Sequence, residues 1–369
     1  MTFKKTLAVT TALSAVALLA ANAAVAAEKP KLRIDGYQEV YFGVGDVSNQ
    51  GFTNAGTPVY ASGKTTDAAF TILNYGEITV KADGATDSGM KFGVKFEMAV
   101  DDSATKTGAD EAGIYMSGSW GKLEIGNDDG AADKMQVQAS GLNTIGSNVI
   151  GAFFGPRGSN SMRAEDNTNV VEASDNTKVT YYTPRVSGFQ AGLSYAPRAA
   201  AQGTTASTDT SVTGSGGNWE AGLSYKGKAG DAKFEIAAVA TEGKTERSTE
   251  NTTGRGIGAE VEVGAFTVAA GYSVNDNWRK ANSEQKAWSV GGSYNGGKWS
   301  VAVVYIDQEL KVNSSTNKDE STNLSLQAGY NLGGGLSTAL GIYALEMKSN
   351  GTRRNETSPG VIAKITAKF

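Results

Sequence analysis

Polar and apolar residues alternate along most of this chain with a period of two. In MKFGVKFEMAV (residues 90–100), Met90, Phe92, Val94, Phe96, Met98 and Val100 are separated by Lys91, Gly93, Lys95, Glu97 and Ala99. Successive side chains of a strand point to opposite faces, so this spacing makes a ribbon with one apolar and one polar face. The same alternation recurs in LRIDGYQEVYFGV (32–44), AFTILNYGEITVKA (69–82), WEAGLSYK (219–226), FTVAAGYSV (266–274) and LSLQAGYN (324–331), and helical spacing is nearly absent. The last ten residues, GVIAKITAKF, keep the alternation to the terminal carboxylate with Ile362 as the one exception. Chain ends ordinarily fray, so a strand that runs to Phe369 needs a neighbour to hold it.

The connections alternate in length. Tight turns are readable at DGATDSG (83–89), GSWGK (118–122), PRVSG (184–188), KGKAGD (226–231), GA (264–265), NGGK (295–298) and LGGG (332–335). Longer polar segments, such as 202–217, 242–253 and 312–321, lie between them. The reading is sixteen strands joined by seven short turns and eight longer loops. An even strand count, with turns at one end and long loops at the other, predicts an all-β fold: a transmembrane antiparallel β-barrel. In lipid an open sheet edge leaves backbone groups unsatisfied at several kcal/mol each. The last strand is therefore expected to pair with the first, 360–369 against 31–44.

A barrel in lipid turns its apolar positions outward. Arg33, Asp35, Glu77, Lys81, Lys91, Lys95, Glu97, Glu220, Lys233, Glu235, Glu260, Glu262, Lys364 and Lys368 are then expected to point inward. Aromatic residues recur on one face six apart: Phe189/Tyr195, Trp219/Tyr225, Phe266/Tyr272, Trp288/Tyr294 and Trp299/Tyr305. Six residues of a tilted strand cover roughly 15 Å of membrane normal, less than the ~25 Å apolar band. One member of each pair is expected to sit deeper than the interfacial girdle.

Composition alone would pass the chain as soluble, with 40% hydrophobic residues and a mean hydropathy of −0.29. An inward polar face accounts for that value. After the first 27 residues no stretch approaches the ~18–20 apolar residues of a spanning helix. There is no cysteine and no histidine among the 369 residues. Disulfides, Cys or His zinc sites and Ser-His or Cys-His nucleophile pairs are thereby excluded. No enzyme activity is expected.

Lys4 and Lys5, an apolar run from Leu7 to Ala20 and the small residues Ala24-Val25-Ala26 have the layout of a secretory signal. Residues 1–26 are expected to be cleaved, leaving a single barrel domain over 27–369. Loss of the two lysines takes the formal charge from −4 to −6 (−4 − 2).

The ordered motifs KLRIDGYQEVYFGVGD (31–46), IYMSGSWGKLEIGN (114–127), YYTPRVSGFQAGLSYAP (181–197) and the terminal strand ending in Phe369 resemble the Gram-negative general diffusion porins, which form sixteen-stranded trimeric barrels. The resemblance covers the mature chain. It implies an outer-membrane homotrimer and a terminal Phe369 that serves as an assembly signal. It also implies that the loop after the fifth strand folds back into the barrel and narrows the channel. Outer-membrane lipid, lipopolysaccharide and small hydrophilic solutes are the implied partners, and nucleic acid is not among them.

That loop is the long irregular segment 127–177, and its length alone marks it as functional or disordered. Val149, Ile150, Phe153 and Phe154 form an apolar knot that argues for order, and Asp128, Asp129, Asp133, Glu165, Asp166, Glu172 and Asp175 make it acidic. Asp128, Asp129, Asp133, Glu165 and Asp166 are the expected constriction residues, facing basic wall positions Arg33, Lys81, Lys91 and Lys95 across the pore. Opposed charges of this kind build ion-selective constrictions. With the charge of −6 they predict a mild cation preference. No cofactor is expected. The oxygen donors of NDDGAAD (127–133) suit Ca²⁺ in kind, but their spacing departs from the EF-hand loop. EGKTER (242–247) and NGTRRNE (350–356) are expected to be solvated outer loops, with contact to lipopolysaccharide phosphates the lesser alternative for Arg353 and Arg354. Small outward residues, Gly36, Ala363 and Ala367, would allow subunits to pack closely. The functional expectation is passive diffusion of small hydrophilic solutes through a water-filled pore. The alternative is a substrate-specific channel of similar build.

Overall fold

The computed structural model describes residues 27–45, 69–100, 109–146, 149, 162, 168–197, 217–243, 251–278, 281–312, 318–349 and 356–369. The first five strands are β1 (Glu28–Gly45), β2 (Ala69–Ala85), β3 (Lys91–Ala99), β4 (Glu111–Gly118) and β5 (Gly121–Asn127). The long loop follows, carrying helix α1 (Ala131–Met135) and a 3₁₀ turn (Ala139–Leu142). Next come β6 (Thr177–Tyr182), β7 (Phe189–Ala196), β8 (Asn218–Ala229), β9 (Ala232–Gly243), β10 (Thr252–Val263) and β11 (Phe266–Asp276). The chain ends with β12 (Ser283–Gly296), β13 (Trp299–Val312), β14 (Lys318–Gly333), β15 (Leu336–Ser349) and β16 (Glu356–Lys368). Each strand pairs antiparallel with its sequence neighbour, and β1 with β16 closes the sheet into a sixteen-stranded barrel.

The seven short turns fall at the expected places and share one end of the barrel. In the last of them Gly335 has a φ of 87°, open to glycine at no steric cost, and its backbone carbonyl accepts the Lys368 N–H (2.9 Å). Both described chain ends lie at this end. Closure holds the terminus as the alternation requires: Tyr37↔Lys368 through Gly45↔Gly360 are in register, and Phe369 and Gly36 exchange two backbone hydrogen bonds of 3.0 Å. A Cβ at Gly36 would collide with the Phe369 ring. The small outward residue thus seats the chain's own last side chain. That is a correction to the expectation that Gly36 serves subunit packing.

The outward aromatic pairs sort into two rows. Toward the turns, Phe189 meets Tyr225 (4.6 Å between ring centroids), Phe266 meets Tyr294 (4.9 Å) and Trp299 meets Tyr330 (4.5 Å). Toward the loops, Tyr195 meets Trp219 (4.5 Å) and Trp288 meets Tyr305 (5.1 Å). Neighbouring strands run antiparallel, so residues six apart on each fall into the same two rows, and each pair contributes one member to each row.

The inward face is not uniformly polar. Leu310, Val312, Tyr343, Leu345, Met347, Ile362 and Tyr41 are buried inside the barrel with Ile145, Val149 and Met162 of the long loop. Val304 and Ile306 likewise cover Ala139. The expectation that apolar positions all point to lipid therefore fails on β13, β15 and β16. The physical reason is that their inner face meets protein instead of water, and burying it stabilises the loop at about 25 cal/mol per Å².

Candidate channel and its constriction loop

The loop follows the inner wall for most of its circumference. α1 packs on β7, β8 and β9, and the 3₁₀ turn on β11, β12 and β13. Ile145 and Val149 reach the apolar cluster of β13, β15, β16 and β1, and the chain returns through Val170 and Val171 beside β9 to β11. Wall side chains hold its backbone. Ser194 accepts the Ala131 N–H (2.7 Å), Ser289 the Ala139 N–H (3.2 Å) and Gln327 the Ile145 N–H (2.8 Å). Asn275 accepts the Val171 N–H (2.7 Å) and donates to the Asn169 carbonyl (3.0 Å). Between these anchors a Cβ on inward Gly258 would strike the Val137 carbonyl, so only glycine lets the loop lie this close. These anchors were not singled out in the sequence, because an inward Ser, Asn or Gln reads the same whether it meets water or a loop.

Open space remains beside the root of the loop, against β1 to β6, and a smaller cavity of about 280 Å³ lies against β12 to β16 and β1. The first, a cavity of about 450 Å³, is lined by Arg33, Lys81, Lys95, Lys122, Lys134 and Lys178, with Asp83, Glu124 and Asp128 as its acids. Arg33, Lys81 and Lys95 are cross-strand neighbours in one row, which continues through Gly113 and Gly126 to Lys178. Lys95 is paired with Glu97 (2.9 Å) and Glu111, and Lys134 with Glu124 (3.1 Å) and Asp128 (2.7 Å).

Of the residues expected at the constriction, Arg33, Lys81, Lys95 and Asp128 share this cavity. Lys91 stands at the turn end of β3 and does not line it, nor do Asp129 and Asp133. Glu165, Asp166, Ile150, Phe153, Phe154, Arg353 and Arg354 lie outside the described residues, as does the 1–26 segment. Missed by the sequence reading were Lys122 and Lys178, which stand on β5 and β6 two and three strands along the sheet from β3, and Lys134, which α1 brings back to the same wall. One oxygen from each of Glu111, Asp129 and Asp175 lies within 4.8 Å of the others, so NDDGAAD contributes a single member to that group.

The loop carboxyls differ in electrostatic state. Burial, with Asp133 beside it, pushes Asp129 up to about 6. Burial and nearby Glu220 push Glu172 up to about 8, and the same two causes raise Asp133. Asp128 is held below the usual carboxylate range, against burial, by the Lys134 ammonium.

A closed antiparallel barrel with an apolar outer face and a loop packed into its interior defines a channel-forming membrane protein. The sequence profile of the family described as Gram-negative porin matches residues 10–350, and the chain belongs to that family. Its place is the outer membrane. The fold is similar to that of an anion-selective porin from Comamonas acidovorans, at 16% identity and a TM-score of 0.61, covering 92% of this chain and 100% of that one. A porin refined at 1.8 Å resolution is 18% identical, with a TM-score of 0.60 and the same coverage. The trimer form of OmpT, an outer membrane protein of Vibrio cholerae, is 10% identical with a TM-score of 0.60, covering 92% of this chain and 99% of that one. None of the curated protein sequences matches the chain.

Proposed function

We propose that the chain forms a water-filled pore for passive diffusion of small hydrophilic solutes and ions, and that it is not an enzyme. The observation that carries this reading is the open cavity between the loop and the β1 to β6 wall, where nine of the seventeen lining residues are charged. The lining also bears on selectivity. A net charge of −6 and an acidic loop favour cations, yet six of the nine charged residues around the passage are basic, and Asp129 and Asp133 lie away from it. Charges at the narrow path outweigh screened charges elsewhere. The mild cation preference expected from composition is therefore replaced here by a weak anion preference. No cofactor enters this function, since Lys95 and Lys134 already compensate carboxylates at the loop root.

Assembly as a homotrimer is part of the proposal. Among the described residues, the outward faces of β15, β16 and β1 to β4 bear no Trp or Tyr, and their aromatic side chains, Phe70, Phe96 and Phe369 among them, lack the polar tip that suits Trp and Tyr to a lipid–water interface. On the same face the Gln38 amide donates to the Asn74 side chain (2.5 Å) and the Tyr75 carbonyl (2.9 Å), a polar group better covered by another subunit than by lipid. Ala363 and Ala367 leave room for that contact. Cleavage of residues 1–26, with the mature chain starting at Ala27, and a role for Phe369 in assembly complete the reading. Liposome swelling with sugars of increasing size tests it. Rates that fall smoothly with size and rise linearly with concentration are expected; saturating rates would favour the substrate-specific alternative.

A further inference from the structure

The two ends of the constriction loop meet at a buried ion pair. Glu220, 1% exposed, projects from β8, and Lys178, 3% exposed, from β6. Their charged atoms are 4.0 Å apart. Glu220 accepts the Ala132 N–H on Oε2 (3.1 Å), from the outgoing limb, and the Ala173 N–H on Oε1 (3.2 Å), from the returning limb. Lys178 does the converse, donating to the Asp128 carbonyl (2.5 Å) of the outgoing limb and the Ser174 carbonyl of the returning one. Each member of the pair thus bonds the backbone of both limbs. Gly130 is part of the arrangement, because a Cβ there would collide with the Glu220 carboxylate.

We propose that Lys178 and Glu220 form a clasp that positions the constriction loop and keeps the pore in one conducting state. Buried, charge-assisted bonds are stronger than neutral ones, and removing one partner leaves the other charge uncompensated. The site is also where leverage is largest. The clasp adjoins the passage itself: Lys178 lines it and bonds the carbonyl of Asp128, another lining residue, and α1, which begins at Ala131, carries Lys134, so a small rotation of the limbs at the clasp moves charges of the passage directly. The other anchors, at Ser194, Ser289 and Gln327, each hold one point of one limb; the limbs also bond each other farther along, at Gln138–Thr168, Asp133–Asn169 and Gln136–Val170, but at the clasp two wall side chains each bond the backbone of both limbs at once. Glu220, which does not line the passage, acts through the loop and is a positioning residue; Lys178 positions the loop and also lines the passage, so Glu220→Gln carries the test of positioning.

The proposal rests on the channel reading, and one experiment separates the two. Single-channel currents of the full protein in planar bilayers would be compared for the natural sequence, Glu220→Gln and Lys178→Met, with heat-modifiable gel migration confirming that each barrel forms. Both variants are expected to spend at least about tenfold more time in partly closed substates, the scale of one lost hydrogen bond to a charged group. Lys178→Arg, which keeps the charge and several donors, is expected to stay near the natural behaviour. A tether tests positioning directly. The chain has no cysteine, and a Cβ at Gly222 would lie 3.0 Å from that of Met135, below the ~3.5–4.5 Å of a disulfide, so Gly222→Cys with Met135→Cys can join α1 to β8 once α1 moves off the wall by roughly half an ångström. In the Glu220→Gln background the closed disulfide is expected to restore quiet currents, and reduction in the bilayer to abolish them. If Glu220→Gln fails to assemble alone, the tethered double-cysteine form supplies the same reduction step. Absence of current from the natural protein defeats the channel reading. Current that is unchanged in Glu220→Gln and Lys178→Met, or indifferent to reduction of the tether, overturns the clasp.

Discussion

Ile362 interrupts the alternation of the last strand because it faces the loop, not lipid or water. It is fully buried against Ile145, Val149 and Tyr343. Ile362→Ala is expected to lower barrel stability by about 2–4 kcal/mol, read as a fall in the detergent-unfolding midpoint, because the cavity it leaves adds to the lost transfer energy. An unchanged midpoint would mean that the apolar inner face does not hold the loop. Gly36 shows the opposite demand. Gly36→Val would displace the Phe369 ring and press on the Glu77 carbonyl, 2.9 Å from the new Cβ. The expected result is loss of heat-modifiable barrel, with the ring removed by Phe369→Ala partly relieving the clash. The last strand was legible residue by residue because closure leaves only one partner for it. The loop-facing role of Ile362 was visible solely as a broken period, and a single break does not say what fills the gap.

At the scale of elements, strands and turns were legible because period two and glycine-rich turns are local signals. The loop's path was not, since Gln327 and Ile145 are far apart in sequence and nothing local to either marks their contact. The acids of the loop were legible as a cluster, but not their states. Asp129 and Glu172 sit above their ordinary values, near about 6 and about 8. A carboxyl whose value is raised by docking favours the docked loop most fully below its undocked value, and that advantage is lost as pH rises through the raised one. Partly closed substates are therefore expected to become more frequent from about pH 5 to about pH 9, with Glu172→Gln flattening the upper part of the rise. A fall in their frequency over that range would show that these carboxyls do not govern docking.

For the whole molecule, closure of the sheet, the asymmetric aromatic rows and the basic passage belong to one account. The face without Trp or Tyr, with its outward Gln38–Asn74 pair, predicts that protein extracted in mild detergent sediments as a trimer, and that Gln38→Leu with Asn74→Leu does not abolish folding of the single barrel while shifting the assembly equilibrium. Sedimentation as a monomer would remove that part. The central claim is the open passage beside β1 to β6, and it is met most directly by the reversal potential of the natural protein in a planar bilayer under a KCl gradient. The account predicts stepwise conductance with a reversal potential of the sign that marks chloride as the more permeant ion, moving toward zero when Arg33 and Lys81 are both replaced by Gln. Absence of steps would contradict a channel, and a cation-signed potential indifferent to those two substitutions would contradict a passage along this wall.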